Sequence, residues 1–185
     1  METIISTHYL KDSLAIFTKQ KAMAEKAIRQ LSEADLHQVI GAESNSVAVI
    51  MKHMAGNMRS RWTDFLNSDG EKSWRQRDQE FIDDLSSEAL WQFWEAGWQL
   101  VLSTMNSLNP SDLLKNIYIR DEAQTVMWAI ERQKDHYAYH VGQIVYLTRH
   151  LKGENWKTLS IPKGESETWI PTSLREKWQK ELRDS

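Results

Sequence analysis

Two histidines four residues apart are the residues of this sequence best placed to do chemistry. His136 and His140 lie in the most regular of the predicted helices. On an α-helix, side chains at positions i and i+4 are neighbours, with about 5–6 Å between their Cβ atoms. That spacing lets two imidazole rings bind one metal ion. The alternative is a pair of partly buried, hydrogen-bonded histidines, and the spacing alone leaves both interpretations open.

A third histidine is a candidate for the same site. His53 lies in the middle of another predicted helix, where Ile50 and Met54 flank it on the apolar side. An imidazole at the edge of a core costs free energy unless a partner satisfies it, and a metal ion between helices would do so. The remaining three histidines have no comparable partner, so we expect surface or packing roles for His8, His37 and His150.

Three histidines without cysteine predict a catalytic type of metal site, which keeps one coordination position open. Such a site lowers the pKa of a bound water, or it binds a substrate thiolate or carbonyl as a Lewis acid. Neutral imidazole suits zinc, nickel, copper and iron, and we expect zinc or nickel. If the three rings form one metal site, we expect their nitrogens to lie within roughly 4 Å of one another in a structure that holds no ion.

The elements that must position these histidines are helices. Only 3 of 185 residues are proline, none of them before Pro110, and apolar residues recur at helical spacing. The periodicity predicts four long helices, at about residues 4–31, 46–66, 86–108 and 125–152. We therefore expect an all-α protein, a four-helix bundle over about residues 4–153 with a tail at 154–185, forming a single domain over 1–185.

The segments between the helices carry further predictions. The second connection, Asn67–Asp84, is long and polar, and the stretch 114–120 alternates as a short extended segment does. After Pro171, the capping box Ser173-x-x-Glu176 predicts a short C-terminal helix. On the third helix, the stripe of Trp91, Trp94 and Trp98 favours core or a subunit interface, with a ligand-stacking wall as the alternative.

Composition excludes several classes of function. Lys and Arg number 23 against 26 Asp and Glu, a formal charge of −3, which argues against nucleic-acid binding. Zero cysteines exclude thiolate metal sites and disulfides. No apolar run approaches the roughly 20 residues of a membrane span, and the N-terminus lacks a signal-peptide stretch. We expect a cytoplasmic protein without membrane contact.

Arginines in the second connection are candidates for substrate binding. Arg75 or Arg77, with Arg59 or Arg61 from the preceding helix, would clamp an anionic substrate near the metal. The alternative is a set of salt bridges that fix the connection. For residues that orient the histidines, the sequence offers Asn57, Asp64, Glu131 and Asp135 without a unique assignment.

The chain resembles the DinB/YfiT-like superfamily of metal-binding four-helix bundles in the order of these features. The shared order is His53 in the segment HMAGN, a long connection, a third helix and then His136-x-x-x-His140. The resemblance covers about residues 5–152. The segments HYAYHVGQIVYL and WKTLSIPKG are similar to an uncharacterised bacterial branch. The resemblance implies a metal site at His53, His136 and His140, a cytoplasmic location and a homodimer. Some members of that superfamily are transferases or isomerases that use a low-molecular-weight thiol.

Two functional hypotheses follow. The first is a metal-dependent enzyme that acts on a small molecule by thiol transfer or hydrolysis. The alternative is a non-catalytic, dimeric bundle with a structural or sensing metal, which the tryptophan stripe and the lack of an obvious general base favour.

Overall fold

The computed structural model describes residues 2–170, with side chains from residue 4 onward. This part of the chain is mostly helical. Its elements are α1 (Glu2–Ile28), α2 (Glu33–Leu36), α3 (Val47–Trp62), α4 (Ser87–Ser107), β1 (Asn116–Ile119), β2 (Glu122–Thr125) and α5 (Val126–Lys152). The predicted C-terminal helix at Ser173–Glu176 lies outside the described residues. Within residues 2–170, no helix combines the length and apolar character needed to cross a membrane.

Hydroxyl side chains begin the three helices that follow α2. Ser46 accepts a hydrogen bond from the Val49 amide, Ser86 from the Ala89 amide, and Thr125 from the Trp128 amide. Each bond satisfies an amide that the first helical turn leaves without a partner. The predicted starts of α3, α4 and α5 therefore agree with the structure to within one residue.

Two predicted helices end earlier than the periodicity indicates. The first was expected to reach residue 31, but it ends at Ile28, and Ser32 and Asp35 form a capping box that starts α2. The second was expected to reach residue 66, but Thr63 adopts an extended conformation and Asp64 has a φ of 48°. Apolar spacing continues past both ends because the residues there still pack on the core.

The four long helices pack around one core. Helix α1 packs against α5 and α3 against α4, and further contacts join α1 to α4 and α3 to α5. Each helix contributes large buried side chains, among them Phe17, Met54, Met58, Trp62, Trp94, Trp98, Tyr137 and Ile144. Trp94 and Trp98 are therefore core residues, as the tryptophan stripe favoured, while Trp91 is half-buried. The contact between α3 and α5 is the one that matters for the candidate site.

The predicted extended segment is one strand of a β-hairpin. Strands β1 and β2 pair antiparallel, although β2 was expected only as the lead-in to the last helix. Arg120 (φ 58°) and Asp121 (φ 61°) form the two-residue turn, which needs positive φ at both positions. The carboxylate of Asp69 accepts hydrogen bonds from both of their amides, at 3.0 and 2.9 Å. The second connection therefore holds a turn that the sequence of the hairpin alone does not favour.

The second connection is a folded segment that lies over α3. The Gly70 amide donates to the Tyr118 carbonyl of β1 at 2.8 Å, and the Gly70 carbonyl accepts from Ser60 and Arg61 of α3. Further along, a 3₁₀ turn spans Asp78–Phe81 and packs on α3. These bonds fix the connection in place, so that its turn reaches the middle of α3.

His37 has partners that the sequence did not indicate. Its Nδ1 lies 2.7 Å from Oδ1 of Asp83, and its Nε2 lies 3.3 Å from Oγ of Ser87. These contacts join the end of α2 to the start of α4, so the expected packing role takes the form of a polar bridge.

Candidate metal centre

Three histidine rings converge between α3 and α5. Nε2 of His136 lies 3.4 Å from Nε2 of His53 and 3.1 Å from Nε2 of His140. One ligand nitrogen from each ring lies within 4.8 Å of the other two. Helix periodicity places His136 and His140 on one face of α5, and the packing of α3 against that face brings in His53. The structure thus brings together the three histidines that the sequence selected.

Hydrogen bonds at the outer nitrogens orient two of the rings. Nδ1 of His53 donates to Oε2 of Glu80 at 3.0 Å, and Nδ1 of His140 donates to Oε1 of Gln143 at 2.8 Å. Because both partners are acceptors, they assign the proton of each ring to Nδ1. Each Nε2 then turns a lone pair toward the centre of the cluster, which is the form in which imidazole binds a metal.

The cluster favours neutral histidines. Burial, together with the nearby charges of His140, His53 and Arg75, lowers the pKa of His136 to about 3. Burial and His53 lower the pKa of His140 to about 4 against an opposing effect of the Gln143 hydrogen bond. Both rings are therefore uncharged at pH 7. Nδ1 of His136 is buried and has no hydrogen-bond partner in the described part of the chain.

This donor set fits a divalent transition-metal ion. Three neutral imidazoles present nitrogens at separations of 3.1 and 3.4 Å, and at least two of them direct lone pairs at the same point. The inner lone pairs of His53 and His140 repel each other, and a cation bound at this point would remove that repulsion. Among residues 2–170, no fourth His, Asp or Glu joins this group. The set of ligands is that of an open, three-histidine site.

Glu80 also belongs to the site, although the spacing of residues in the sequence does not indicate it. It is 6% exposed, and it accepts hydrogen bonds from Nε and Nη2 of Arg75 at 2.7 and 2.9 Å as well as from His53. Burial by itself would raise the pKa of Glu80, but the bonds from His53 and Arg75 lower it below its usual value. Glu80 is therefore an ionised carboxylate that fixes the orientation of His53.

A glycine on α3 makes room for this carboxylate. A Cβ on Gly56 would lie 2.5 Å from Oε1 of Glu80 and 2.7 Å from its Cδ, closer than unbonded atoms approach. An isolated glycine inside a predicted helix indicates that another group packs closely against that helix. Gly56, three residues after His53, therefore indicates a close contact near the site. The sequence does not identify Glu80 as the group in contact, because Glu80 lies among several charged residues without periodic spacing.

The four residues proposed to orient the histidines lie elsewhere or bond other groups. Asn57 is buried beside the site, where its Oδ1 accepts from the Tyr137 hydroxyl at 3.4 Å. Glu131 pairs with Lys134, while Asp64 and Asp135 are exposed. None of the four bonds a histidine ring of the cluster in the described structure. Glu80 and Gln143 have that role instead.

The structure separates the arginines that the sequence grouped together. Arg75 forms a salt bridge with Glu80, and its Nη1 lies 3.6 Å from Oε1 of Glu71. Of the two interpretations of the arginines, the structure therefore favours salt bridges within the connection for Arg75. Arg61 bonds the Gly70 carbonyl and Glu71. Arg59 lies outside the cavity of the histidines and stacks on Trp74 and Phe93 at 5.3 and 5.4 Å. Arg77 is exposed and has no ion pair within residues 2–170.

A cavity of about 410 Å³ opens beside the histidine cluster. The three histidines form part of its wall, and Phe81 stacks on the ring of His53 with centroids 4.7 Å apart. The other side chains of the wall are Asn57, Arg61, Arg75, Arg77, Arg120, Arg132 and Gln133. The second connection therefore supplies one side of the cavity, and α3, α5 and the hairpin supply the rest.

Fold and site together define a mostly helical protein with a cluster of three histidines that faces a small polar cavity. Residues 4–165 match a family described as "Protein of unknown function (DUF1572)", and the chain belongs to this family. No curated protein matches the chain.

Proposed function

We propose that His53, His136 and His140 bind one divalent metal ion, zinc or nickel, and that the protein is a metal-dependent enzyme acting on a small molecule. The observation that carries this proposal is the convergence of the three Nε2 atoms. The bonds from Glu80 and Gln143 support it, because they leave the inner nitrogens of His53 and His140 free to bind.

The cavity favours an enzyme over a closed structural site. When bound, a divalent ion supplies a Lewis acid to a small molecule in the cavity. The chain's own residues bind and orient: Glu80 and Gln143 hold protons at the outer nitrogens, and Phe81 shields one face of His53. Thiol transfer and hydrolysis are the two reaction classes that we propose, since both use a small molecule at an open metal position.

The finer structural assignments are part of the same proposal. We propose a DinB-like four-helix bundle formed by α1, α3, α4 and α5, in one domain over residues 1–185. The order of the helices and the placement of the histidines on α3 and α5 support it. The cytoplasmic location stays a prediction from the sequence.

Metal content tests the site directly. Protein purified without a nickel column should contain close to one zinc or nickel per chain by inductively coupled plasma mass spectrometry. The double variant His136→Ala/His140→Ala should lose it. The matched control is His8→Ala/His150→Ala, which removes two exposed histidines and should retain the metal. A metal content well below one per chain in the unaltered protein, unchanged in the first variant, would overturn the proposal.

The alternative is a non-catalytic homodimer with a structural or sensing metal. Three exposed aromatic side chains on one face of α5, Trp128, Tyr139 and Tyr146, favour an interface between copies of the chain. Light scattering after size-exclusion chromatography measures the oligomeric state. The melting temperature after chelation separates the two functions, because a structural ion contributes its binding energy to folding. A large drop favours the alternative, and a small drop favours the enzyme.

A further inference from the structure

Positive charge accumulates in the wall of the cavity beside the histidines. Five arginines line it: Arg61, Arg75, Arg77, Arg120 and Arg132. Among the described residues, only two carboxylates are ion-paired with them, Glu71 with three of the arginines and Glu80 with Arg75. Five guanidinium charges of the wall therefore face two ion-paired carboxylates, an excess of three positive charges.

Arg77 and Arg132 account for two of these three charges. They come from the second connection and from α5, and neither has an ion pair in the part of the chain that the structure describes. The surplus of positive charge also affects Arg61. Burial lowers the pKa of Arg61, and the charges of Arg75 and Arg132 lower it further, against the opposing effect of Glu71. An anion bound between these groups would relieve the repulsion.

Buried polar atoms in the same wall also lack partners. Gln133 is 3% exposed and lines the cavity, yet its Oε1 has no hydrogen-bond partner within residues 2–170. Nη1 of Arg75 is likewise buried without a hydrogen bond, 3.6 Å from the nearest oxygen of Glu71. Buried polar groups are nearly always satisfied in native proteins, so two unsatisfied groups on residues of this wall agree with a polar ligand that is bound here in the working protein.

We propose that this cavity binds a small organic molecule through a doubly charged oxyanion, as in a phosphate monoester or a dicarboxylate. Arg77 and Arg132 contact the oxyanion, because the planar guanidinium matches the geometry of both groups. Arg75 contributes charge, while its Nε and Nη2 stay bound to Glu80. As an assignment of the substrate class, the inference rests on the function proposed above.

Calorimetric titration of the metal-free protein tests the anion site separately from the metal. Inorganic phosphate and succinate are the two probes, with acetate as the singly charged comparison. We expect phosphate or succinate to bind at least tenfold more tightly than acetate, and the probe that binds better identifies the source of the oxyanion. The variant Arg77→Gln/Arg132→Gln should bind the better probe at least tenfold more weakly.

One further variant decides what a result means. Arg29→Gln/Arg149→Gln replaces two exposed arginines outside the cavity and removes as much charge as Arg77→Gln/Arg132→Gln does. This control variant should bind the probe as tightly as the unaltered protein does. Because the titration uses metal-free protein, its result does not depend on whether the purified protein contains a metal. The inference is overturned if neither dianion binds better than acetate, or if Arg77→Gln/Arg132→Gln binds the probe as tightly as its control.

Discussion

Nδ1 of His53 donates a hydrogen bond to Oε2 of Glu80 at 3.0 Å, and this bond ties the middle of α3 to a turn 27 residues further along the chain. Both oxygens of the same carboxylate also accept hydrogen bonds from Arg75. The orientation of His53 therefore depends on the folded second connection as well as on its own helix. Changes in the connection should therefore act on the proposed metal site without altering any of the three histidines.

Glu80→Gln should weaken metal binding by about 10–100-fold, the range typical for partners that orient a ligating histidine. The amide keeps the shape of the side chain but loses the charge that fixes His53 and pairs with Arg75. Competition with a chromophoric chelator measures the affinity, and a denaturant titration checks that the variant folds.

The control for this variant is Asp78→Asn in the same turn. Asp78 is exposed and has no ion pair in the described structure, so its affinity should stay within about twofold of the unaltered protein. Equal affinities for Glu80→Gln and the unaltered protein would show that Glu80 does not position His53.

Gly56→Ala should disturb the same carboxylate from the opposite side. The new methyl group would lie 2.5 Å from Oε1 of Glu80, so the side chain must move. Overpacking of this kind costs about 1–3 kcal/mol of unfolding free energy, and the higher helix propensity of alanine offsets about 1 kcal/mol, so a net loss toward the lower end of this range remains. We expect that loss, measured by urea unfolding, together with a weaker metal affinity.

Gly142→Ala on α5 is the matched comparison. Gly142 is exposed, and no atom lies within 4 Å of the position of its added Cβ. Alanine is favoured over glycine inside a helix by about 1 kcal/mol, so this variant should be more stable. Two variants that change stability in the same direction would contradict the packing argument for Gly56.

Stability of the metal-free protein should fall as the pH is lowered from 7 to 5. In the folded state the pKa of His136 is about 3 and that of His140 about 4, whereas a histidine of the unfolded chain titrates near 6.5. Between these values the unfolded chain binds protons that the folded chain does not, so acid favours unfolding. The loss is up to about 2 kcal/mol for each histidine over this range.

Urea unfolding at the two pH values, in the presence of a chelator, measures the effect. His136→Gln/His140→Gln should show a smaller pH dependence, because both shifted groups are absent. If the variant and the unaltered protein lose the same free energy, the two histidines are not the groups that titrate.

Tyr137→Phe should destabilise the core by about 1–3 kcal/mol. The hydroxyl of Tyr137 accepts from Nε1 of Trp62 at 2.9 Å, and both side chains are almost fully buried. Without the hydroxyl, the indole N–H is left buried and unsatisfied. Tyr146→Phe, at a position 70% exposed on the same helix, should change the unfolding free energy by less than about 0.5 kcal/mol. Equal effects in a thermal or urea titration would refute the assigned role of the buried bond.

The sequence by itself determined the features that depend on local spacing. Ser46, Ser86 and Thr125 begin helices because a hydroxyl side chain reaches an amide only three residues away. His136 and His140 share a face because helix geometry sets neighbours four residues apart. Apolar periodicity placed His53 at the edge of a buried face, and from there it meets the other two.

Only the tertiary structure decided what joins distant segments. Glu80 meets His53, Asp69 holds the turn of Arg120 and Asp121, and Arg75 pairs with a carboxylate of its own connection. Each partner lies in a polar stretch where many charged residues are interchangeable by type. Periodicity determines which way a helical side chain points. In an irregular connection, the side chain that becomes buried depends on packing against elements far away in the sequence.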